Sequence, residues 1–273
     1  MVFFGYPTNP SKEILGEIRK AKRLGMDFVE IGFEGPCGLP EIILEKRKRI
    51  LDLLKKQHIF SIEHTAYWMN FGSLYPAIRK AWIAEAKRTI RIAAKLGMNM
   101  VNLHASSQGM FMIERDGRLV TKEGKQTVLK NYVKSMKELV SYARKHDVRL
   151  MLENCPKGKE ISEVADIKYI LDRVPGLKFH LDIGHANTVG GTPVIVKFIN
   201  TFKDKLIHIH IHDNNGKKDE HLPIGEGNID FRKVVYALKK AGFDRTISFE
   251  VFFGGEKKFR DSVNRIKKLW KEV

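Results

Sequence analysis

The sequence predicts a single-domain α/β protein with the (β/α)8 fold, a TIM barrel. Short apolar segments alternate with amphipathic segments eight times along the 273 residues, and no linker or low-complexity tract divides them. Strands that alternate with helices form parallel sheets with right-handed crossovers, and eight such units in about 270 residues fit a closed barrel. An open, doubly wound sheet is the alternative, because periodicity does not show closure.

The first four units occupy the N-terminal part of the chain. Apolar runs of strand length predict the strands, and apolar stripes at helical spacing predict the helices between them. The predicted strands are residues 2–5, 27–32, 59–64 and 100–104, and the helices run from Ser11 to about residue 24, over 41–57 and over 75–96.

One long interruption follows the fourth strand. Asp116-Gly117 lies between two alternating runs, which predicts a hairpin inserted at residues 111–121. The alternation of helix and strand then resumes. The predicted helices are residues 126–146, 162–173, 193–202, 230–241 and 257–271, and the strands are 149–153, 178–182, 206–210 and 246–251.

Composition and charge narrow the functional classes. Lys and Arg number 49 against 32 Asp and Glu, a net charge of +17, which favours an anionic partner, nucleic acid first. A solvated, Lys-rich surface is the alternative. Two cysteines in no paired spacing favour neither a disulfide scaffold nor a cysteine zinc site. No apolar run reaches the ~18–20 residues of a membrane span and no signal pattern opens the chain, so we expect a cytoplasmic protein.

Metal-ligand residue types end six of the eight predicted strands, and three more lie in the loops that follow. The strand ends of a TIM barrel converge at one mouth, where unpaired carboxylates are costly unless a cation neutralises them. A lone histidine at a strand end is more often a hydrogen-bonded core residue, but nine groups at one end favour a metal site. The nine are His64, His104, Glu153, Asp182, His185, His210, Asp219, His221 and Glu250.

Other polar residues fall one layer deeper or beside this set. His180 and His208 precede Asp182 and His210 by two residues, so they point inward below the predicted ligands. We interpret them as barrel filler or as support for the ligands. His212, Asn102 and Asn154 are candidates for orienting the ligands.

The motifs around these residues resemble endonuclease IV, the class II AP endonucleases within the xylose-isomerase-like TIM-barrel superfamily. The resemblance covers nearly the whole chain. Its motifs are Ile62-Glu-His64-Thr-Ala-Tyr67, Asn102-Leu-His104, Leu152-Glu153-Asn154, Asp182-Ile-Gly-His185, His210-Ile-His-Asp213, Asp219-Glu-His221-Leu-Pro-Ile-Gly225-Glu226-Gly227 and Ser248-Phe-Glu250.

This resemblance implies three zinc ions per chain, with Mn²⁺ able to occupy one position. His64, His104 and Glu153 would hold the first, and Glu153 would bridge to a second completed by Asp182, His210 and Glu250. His185, Asp219 and His221 would hold the third. The implied reaction is hydrolysis of the phosphodiester 5′ to an abasic site in DNA, with Glu153 and Glu250 as catalytic residues.

The same resemblance implies contacts with abasic double-stranded DNA. Tyr67 matches the tyrosine of the family, and Trp68 stands where an apolar wedge is expected, since an aromatic ring replaces stacking lost when a nucleotide is extruded. A packed loop is the alternative interpretation of these aromatic residues. We also expect a monomer and no membrane contact.

Sugar isomerases and epimerases of the superfamily are the main alternative. They resemble this chain at Glu153, Asp182, His210 and Glu250, a single-metal site for Mn²⁺, Co²⁺ or Mg²⁺ in which the two glutamates act as acid and base. The Glu-Ile-Gly-Phe-Glu34 end of the second strand resembles this branch, and the loop over residues 33–36 lacks the DNA-inserting arginine of the nucleases. A barrel that binds abasic DNA without cutting it is a third possibility.

Overall fold

Eight parallel strands close into a barrel in this computed structural model, which describes residues 1–106, 122–159 and 161–273. Strands adjacent in the chain are adjacent in the barrel, and the last strand pairs with the first at Phe3–Thr246 and Gly5–Ser248. The predicted single-domain (β/α)8 barrel is therefore confirmed, and the open sheet is excluded. The strands are β1 Phe3–Pro7, β2 Phe28–Phe33, β3 Phe60–Thr65, β4 Met100–His104, β5 Arg149–Glu153, β6 Lys178–Asp182, β7 Leu206–Ile211 and β8 Thr246–Phe249.

Helices surround the strands and cover their outward apolar side chains. Within the described residues, none of them combines the length and the apolar composition needed to cross a membrane. The helices are α1 Ile14–Arg23, α2 Pro40–Glu45, α3 Arg47–Gln57, α4 Pro76–Lys95, α5 Lys122–Arg144, α6 Val164–Arg173, α7 Ile183–Phe202, α8 Phe231–Lys240 and α9 Gly255–Glu272.

Two predicted helices differ from the observed ones. The helix predicted over residues 41–57 is divided at Lys46 into α2 and α3. The helix predicted over 193–202 is only the second part of α7, which begins directly after β6 because Asp182 caps it, accepting the His185 N–H at 2.6 Å. Gly190 and Gly191 have non-helical backbone angles and interrupt α7. The hairpin predicted over residues 111–121 lies outside the described residues.

The inside of the barrel changes from apolar to polar along its axis. Phe28, Ile62, Met100 and Met151 are buried together at the level where the strands begin. Two residues further along each strand, side chains of the same parity point inward again, and they are now polar, as at Glu30 on β2, His64 on β3, Asn102 on β4 and Glu153 on β5. The apolar plug therefore closes one end, and the polar end is the mouth where a site can form.

Candidate metal centre

Residues from the ends of β5, β6, β7 and β8 converge on one point at the mouth. His210 Nδ1 lies 3.1 Å from Glu250 Oε1 and 3.5 Å from Glu153 Oε1. Asp182 Oδ2 is 3.8 Å from the same nitrogen. Within the described part of the chain, neither His210 Nδ1 nor Asp182 Oδ2 has a hydrogen-bond partner, although both atoms are buried. Buried polar atoms are nearly always satisfied, and a cation bound among these four residues would satisfy both.

A divalent cation fits this donor set in size and charge. Around an ion with metal–ligand distances of about 2.1 Å, neighbouring donors lie roughly 3.0–3.4 Å apart. The distances from His210 Nδ1 to Glu250 and Glu153, 3.1 and 3.5 Å, are close to this range, and the distance to Asp182, 3.8 Å, is longer. One imidazole and three carboxylates suit Mn²⁺, Co²⁺, Zn²⁺ or Mg²⁺. Burial would raise the pKa of Glu250, but His210 beside it lowers that pKa to about 2. Glu250 is therefore ionised at neutral pH, as a metal ligand must be.

Glu153 is held through one oxygen and presents the other to the centre. Its Oε2 accepts a hydrogen bond from Asn102 Nδ2 and lies 3.0 Å from His104 Nε2 and 3.7 Å from His64 Nε2. Its Oε1 faces His210. Burial would raise the pKa of Glu153, but His104 and the other histidines around it hold that pKa well below its ordinary value. Glu153 is thus an ionised carboxylate between the His64–His104 side and the His210 side.

Asp219 forms a second group with two histidines. The Nε2 atoms of His185 and His221 each lie 3.1 Å from Asp219 Oδ2, and their Nδ1 atoms face the backbone carbonyls of Asn154 at 2.8 Å and Glu250 at 3.0 Å. Burial would lower the pKa of both imidazoles, but the neighbouring carboxylates raise it to about 10 for His185 and about 9 for His221. A histidine with Nδ1 held by a carbonyl and Nε2 aimed outward is also the usual form of a metal ligand.

His212 joins the two groups. Its Nε2 lies 3.3 Å from Asp182 Oδ1 and 3.5 Å from Asp219 Oδ1, and its ring stacks on His221 with centroids 4.0 Å apart. A Cβ atom on residue 184 would overlap the His212 ring. Close packing of His212 therefore explains the glycine in the Asp182-Ile-Gly184-His185 motif.

Asp213 folds the loop that carries Asp219 and His221. Its backbone N–H and C=O pair with those of Leu222 at 2.9 and 2.8 Å, and its side chain is fully buried. The carboxylate accepts three backbone N–H groups, from Asn214 at 2.9 Å, Gly225 at 2.8 Å and Ile229 at 3.3 Å. One buried carboxylate thus ties both ends of the loop to β7 and directs the loop back over the mouth.

A fully buried polar layer lies beneath the centre. His180 and His208 lie in it, as the sequence predicts, and His180 Nδ1 is 2.9 Å from Asn102 Oδ1, which orients the amide that donates to Glu153. Glu30 belongs to the same layer and contacts His210 Nε2. Sequence reasoning did not assign Glu30 a role. The available signal was a charged residue inside an otherwise apolar strand, since an unpaired glutamate is almost never fully buried.

The structure brings all nine predicted ligands into this one region. Two of the predicted triads, His64 with His104 and Glu153, and His185 with Asp219 and His221, have ligand atoms within 4.8 Å of one another. Whether each triad holds an ion stays a prediction.

Tyr67 and Trp68 lie at the rim of the same region. The Tyr67 ring packs on His104 with centroids 4.7 Å apart, and its backbone N–H donates to Glu34 Oε1 at 2.5 Å. Trp68 is 62% exposed. Tyr67 is therefore part of the wall of the site, whereas Trp68 is available at its edge.

Known proteins similar to this chain decide its family. A family model described as a xylose isomerase-like TIM barrel matches residues 18–269. The chain belongs to that family. An uncharacterized protein of Methanocaldococcus jannaschii is 30% identical over 232 residues, which are 82% of this chain and 73% of that protein.

Two further relatives have names that state an activity. The L-ribulose-5-phosphate 3-epimerase of Shigella boydii is 21% identical over 245 residues, 84% of this chain and 78% of that enzyme. A solved structure of a D-tagatose 3-epimerase-like protein is 26% identical with a TM-score of 0.83, and the match covers 99% of this chain and 98% of that one. The first of these names is that of a sugar 3-epimerase, and the second states a likeness to one.

These relatives correct the predicted function. The prediction of an AP endonuclease that acts in DNA repair is wrong. The relatives support the alternative prediction, a sugar epimerase. The predicted xylose-isomerase-like superfamily is confirmed, but the predicted endonuclease IV family within it is not. The prediction failed because a mixed set of imidazoles and carboxylates serves phosphodiester hydrolysis and proton transfer beside a carbonyl equally well.

The predictions that depended on the nuclease change with it. Three zinc ions are not supported, although the histidine and glutamate groups remain able to bind metal ions. The DNA contacts predicted for Tyr67 and Trp68 followed from the nuclease resemblance alone, and that basis is gone.

Proposed function

We propose that this protein is a metal-dependent sugar epimerase that inverts the carbon next to the carbonyl of a ketose. The observation that carries the proposal is the convergence of three carboxylates on the Nδ1 atom of His210, which lacks a hydrogen-bond partner within the described residues. The two 3-epimerase relatives support the choice of reaction. The net charge of +17 suits anionic substrates, so ketose phosphates belong to the proposed range.

Glu153, Asp182, His210 and Glu250 are the residues that would hold one divalent cation. Such a cation would polarise the carbonyl of a bound ketose and make the neighbouring C–H bond more acidic. The Asp219 group differs from this set in one respect. Asp219 Oδ2 has hydrogen-bond geometry with both His185 Nε2 and His221 Nε2, whereas His210 Nδ1 has no such partner among the described residues, so the proposal places one ion per chain at the His210 centre.

Glu153 and Glu250 are the proposed proton carriers. Each directs Oε1 at the centre, from β5 and from the end of β8 respectively, and each is ionised at neutral pH for the reasons given above. One carboxylate takes the proton from the carbon as the C–H bond breaks. The other carboxylate first takes a proton from water and delivers it to the opposite face of the same carbon, where the C–H bond forms again, so the configuration inverts. The first carboxylate then releases its proton to water, and the step needs no oxidant or reductant. Positioned acid–base groups of this kind contribute about 10²–10⁴-fold to rate.

The experiment is a substrate screen with metal-loaded protein. The protein is stripped of metal, loaded in turn with Mn²⁺, Co²⁺, Mg²⁺ or Zn²⁺, and incubated with ketoses and ketose phosphates. Products are identified by NMR. A ketose epimer is the expected product, and an aldose would assign isomerisation instead. Protein with a full metal complement that converts none of these sugars would contradict the proposal.

Matched variants separate chemistry from folding. Glu153→Gln and Glu250→Gln are expected to abolish conversion. Glu138→Gln is the control, because Glu138 is an exposed glutamate on α5 that pairs with Lys87 on α4, and it should retain native activity.

Metal content tests the number of ions. One equivalent per chain is expected in native protein, with the same content in His221→Ala. Additional equivalents that disappear in His221→Ala would assign a metal ion to the Asp219 group and contradict the single-ion proposal.

A further inference from the structure

Glu30 is a fully buried carboxylate beneath the metal centre, reaching across the barrel from β2 to β7. Its two oxygens lie 3.0 and 2.9 Å from His210 Nε2. Both residues are inaccessible to solvent. A buried glutamate of this kind is costly unless it accepts strong hydrogen bonds, so the donor that faces it matters.

His208 is the other histidine beside Glu30, and it does not supply that donor. Thr246 Oγ1 donates to the Ile207 carbonyl at 3.2 Å, and its lone pair then accepts from His208 Nδ1 at 2.7 Å. A neutral His208 that donates through Nδ1 has no proton on Nε2. The 3.4 Å separation between His208 Nε2 and Glu30 Oε2 is long for a hydrogen bond and agrees with this assignment.

His210 Nε2–H is therefore the donor to Glu30, shared between its two oxygens. When a metal ion takes the place of the proton on Nδ1, the one proton left on His210 is on Nε2, where Glu30 accepts it, and the Nδ1 lone pair is available to the ion. That Nδ1 atom is the one that faces Glu153, Asp182 and Glu250. The side chain of Glu30 is thus placed to select which nitrogen of His210 is able to bind metal.

We infer that Glu30 is a positioning residue, which holds His210 in the tautomer and orientation that bind the metal ion and acts on the ion only through His210. The inference rests on the metal site of the proposed function but not on the reaction assigned to it. Carboxylates that hydrogen-bond a metal-ligating histidine from behind raise metal affinity about 10–100-fold.

The test is metal affinity, measured by competition with a chelator for Mn²⁺, Co²⁺ and Zn²⁺. Glu30→Gln is expected to weaken binding by about 10–100-fold, because an amide can donate to His210 Nε2 and favour the wrong tautomer. Glu63→Gln is the matched control. Glu63 is also fully buried, on the neighbouring strand, but it pairs with Ile31 in register and points away from the inward-facing His64. The metal affinity of the Glu63→Gln variant should equal that of the native protein.

A double-mutant cycle separates positioning from simple attraction between charges. In a His210→Ala background, Glu30→Gln is expected to change metal affinity less than twofold. An equal loss in both backgrounds would show that the charge of Glu30 acts on the ion directly, and would overturn the inference. Native affinity in Glu30→Gln would overturn it as well.

A measurement on native protein covers the case in which Glu30→Gln does not fold. In the long-range ¹H–¹⁵N spectrum of Zn²⁺-loaded protein, His210 is expected to show a protonated Nε2 and a metal-bound Nδ1. A proton on Nδ1 would overturn the inference. Tight metal binding without sugar conversion would defeat the proposed reaction and leave this inference standing, so the two failures are distinguishable.

Discussion

Replacement of Asp213 by alanine should disable the site from a distance. Asp213 shares no hydrogen bond or ion pair with the four proposed metal ligands in the described part of the chain, but its buried carboxylate accepts three backbone N–H groups of the loop that carries Asp219 and His221. Hydrogen bonds to a charged acceptor contribute about 1.5–3 kcal/mol each when buried. The contact at 3.3 Å is weak and the Gly225 N–H is near solvent, so we expect a total loss of about 2–4 kcal/mol.

That loss is a large part of the ~5–15 kcal/mol that stabilises a typical domain. In a chain of this size 1 kcal/mol shifts Tm by about 2 °C, so the expected fall in Tm is roughly 4–8 °C. Because the lost bonds all hold one loop, the opening should be local before it is global. Residues 214–229 should exchange their amide hydrogens faster. The rate of sugar conversion should fall, because the loop that carries Asp219 and His221 opens more often.

Urea unfolding and hydrogen exchange by mass spectrometry measure the two effects. Asp244→Ala is the control, since Asp244 is an exposed aspartate paired only with the exposed Arg245 among the described residues, and its free energy of unfolding should change by less than about 0.5 kcal/mol. Unchanged exchange over residues 214–229 in Asp213→Ala would refute the role given to this carboxylate.

Three other predictions concern stability, catalysis and metal. Both oxygens of the buried Glu63 lack hydrogen-bond partners among the described residues, and burial together with Glu30 and Glu34 raises its pKa well above 4.5. The folded state therefore binds this proton more tightly than the unfolded chain, so native stability falls as the pH rises from about 4.5 through the raised pKa. In urea unfolding, Glu63→Met should raise the free energy of unfolding by about 1–3 kcal/mol at pH 8 and by less at pH 5. Equal increases at the two pH values would contradict this. Glu250→Gln should lower kcat on the best ketose by at least about 10²-fold with an unchanged circular dichroism spectrum, and a loss confined to KM would contradict its role in proton transfer. Removal of metal by a chelator should lower Tm and abolish sugar conversion. Adding back Mn²⁺ or Co²⁺ at about 100 times its Kd should restore about 2.7 kcal/mol of the free energy of unfolding. A Tm that does not respond to metal would argue against the site.

The fold and the converging residues could be predicted because both follow from short-range rules. Side chains alternate along a strand, so the last inward residue of each parallel strand must point into the same mouth. Asp182 and His210 are examples. Each ends a strand in which the apolar residues already show which alternate side chains point into the barrel. Eight repetitions of strand and helix then made the barrel the best explanation of the whole chain.

The features that were missed depend on contacts between distant strands or on chemistry outside the protein. Nothing near Glu30 in the chain shows that its side chain reaches His210, about 180 residues later. The early start of α7 was missed because Asp182 was assigned only as a ligand, although the same carboxylate caps the helix. The reaction could not follow from the ligand set, because one arrangement of imidazoles and carboxylates suits either a phosphodiester or a sugar. The sequence feature that favoured the sugar was the Glu-Ile-Gly-Phe-Glu34 end of the second strand, and the loop over residues 33–36 lacked the arginine expected of the nucleases.

Hydrogen exchange at the substrate carbon tests the central claim most directly. The metal-loaded protein is incubated in D₂O with the ketose or ketose phosphate that it converts best, and deuterium is located by NMR. Epimerisation by proton removal predicts deuterium at the inverted carbon, incorporated only when metal is bound and lost in Glu153→Gln. Conversion without deuterium at that carbon, even at early times, would contradict proton transfer through Glu153 and Glu250, and no exchange or conversion with any sugar would contradict the assignment of a sugar epimerase.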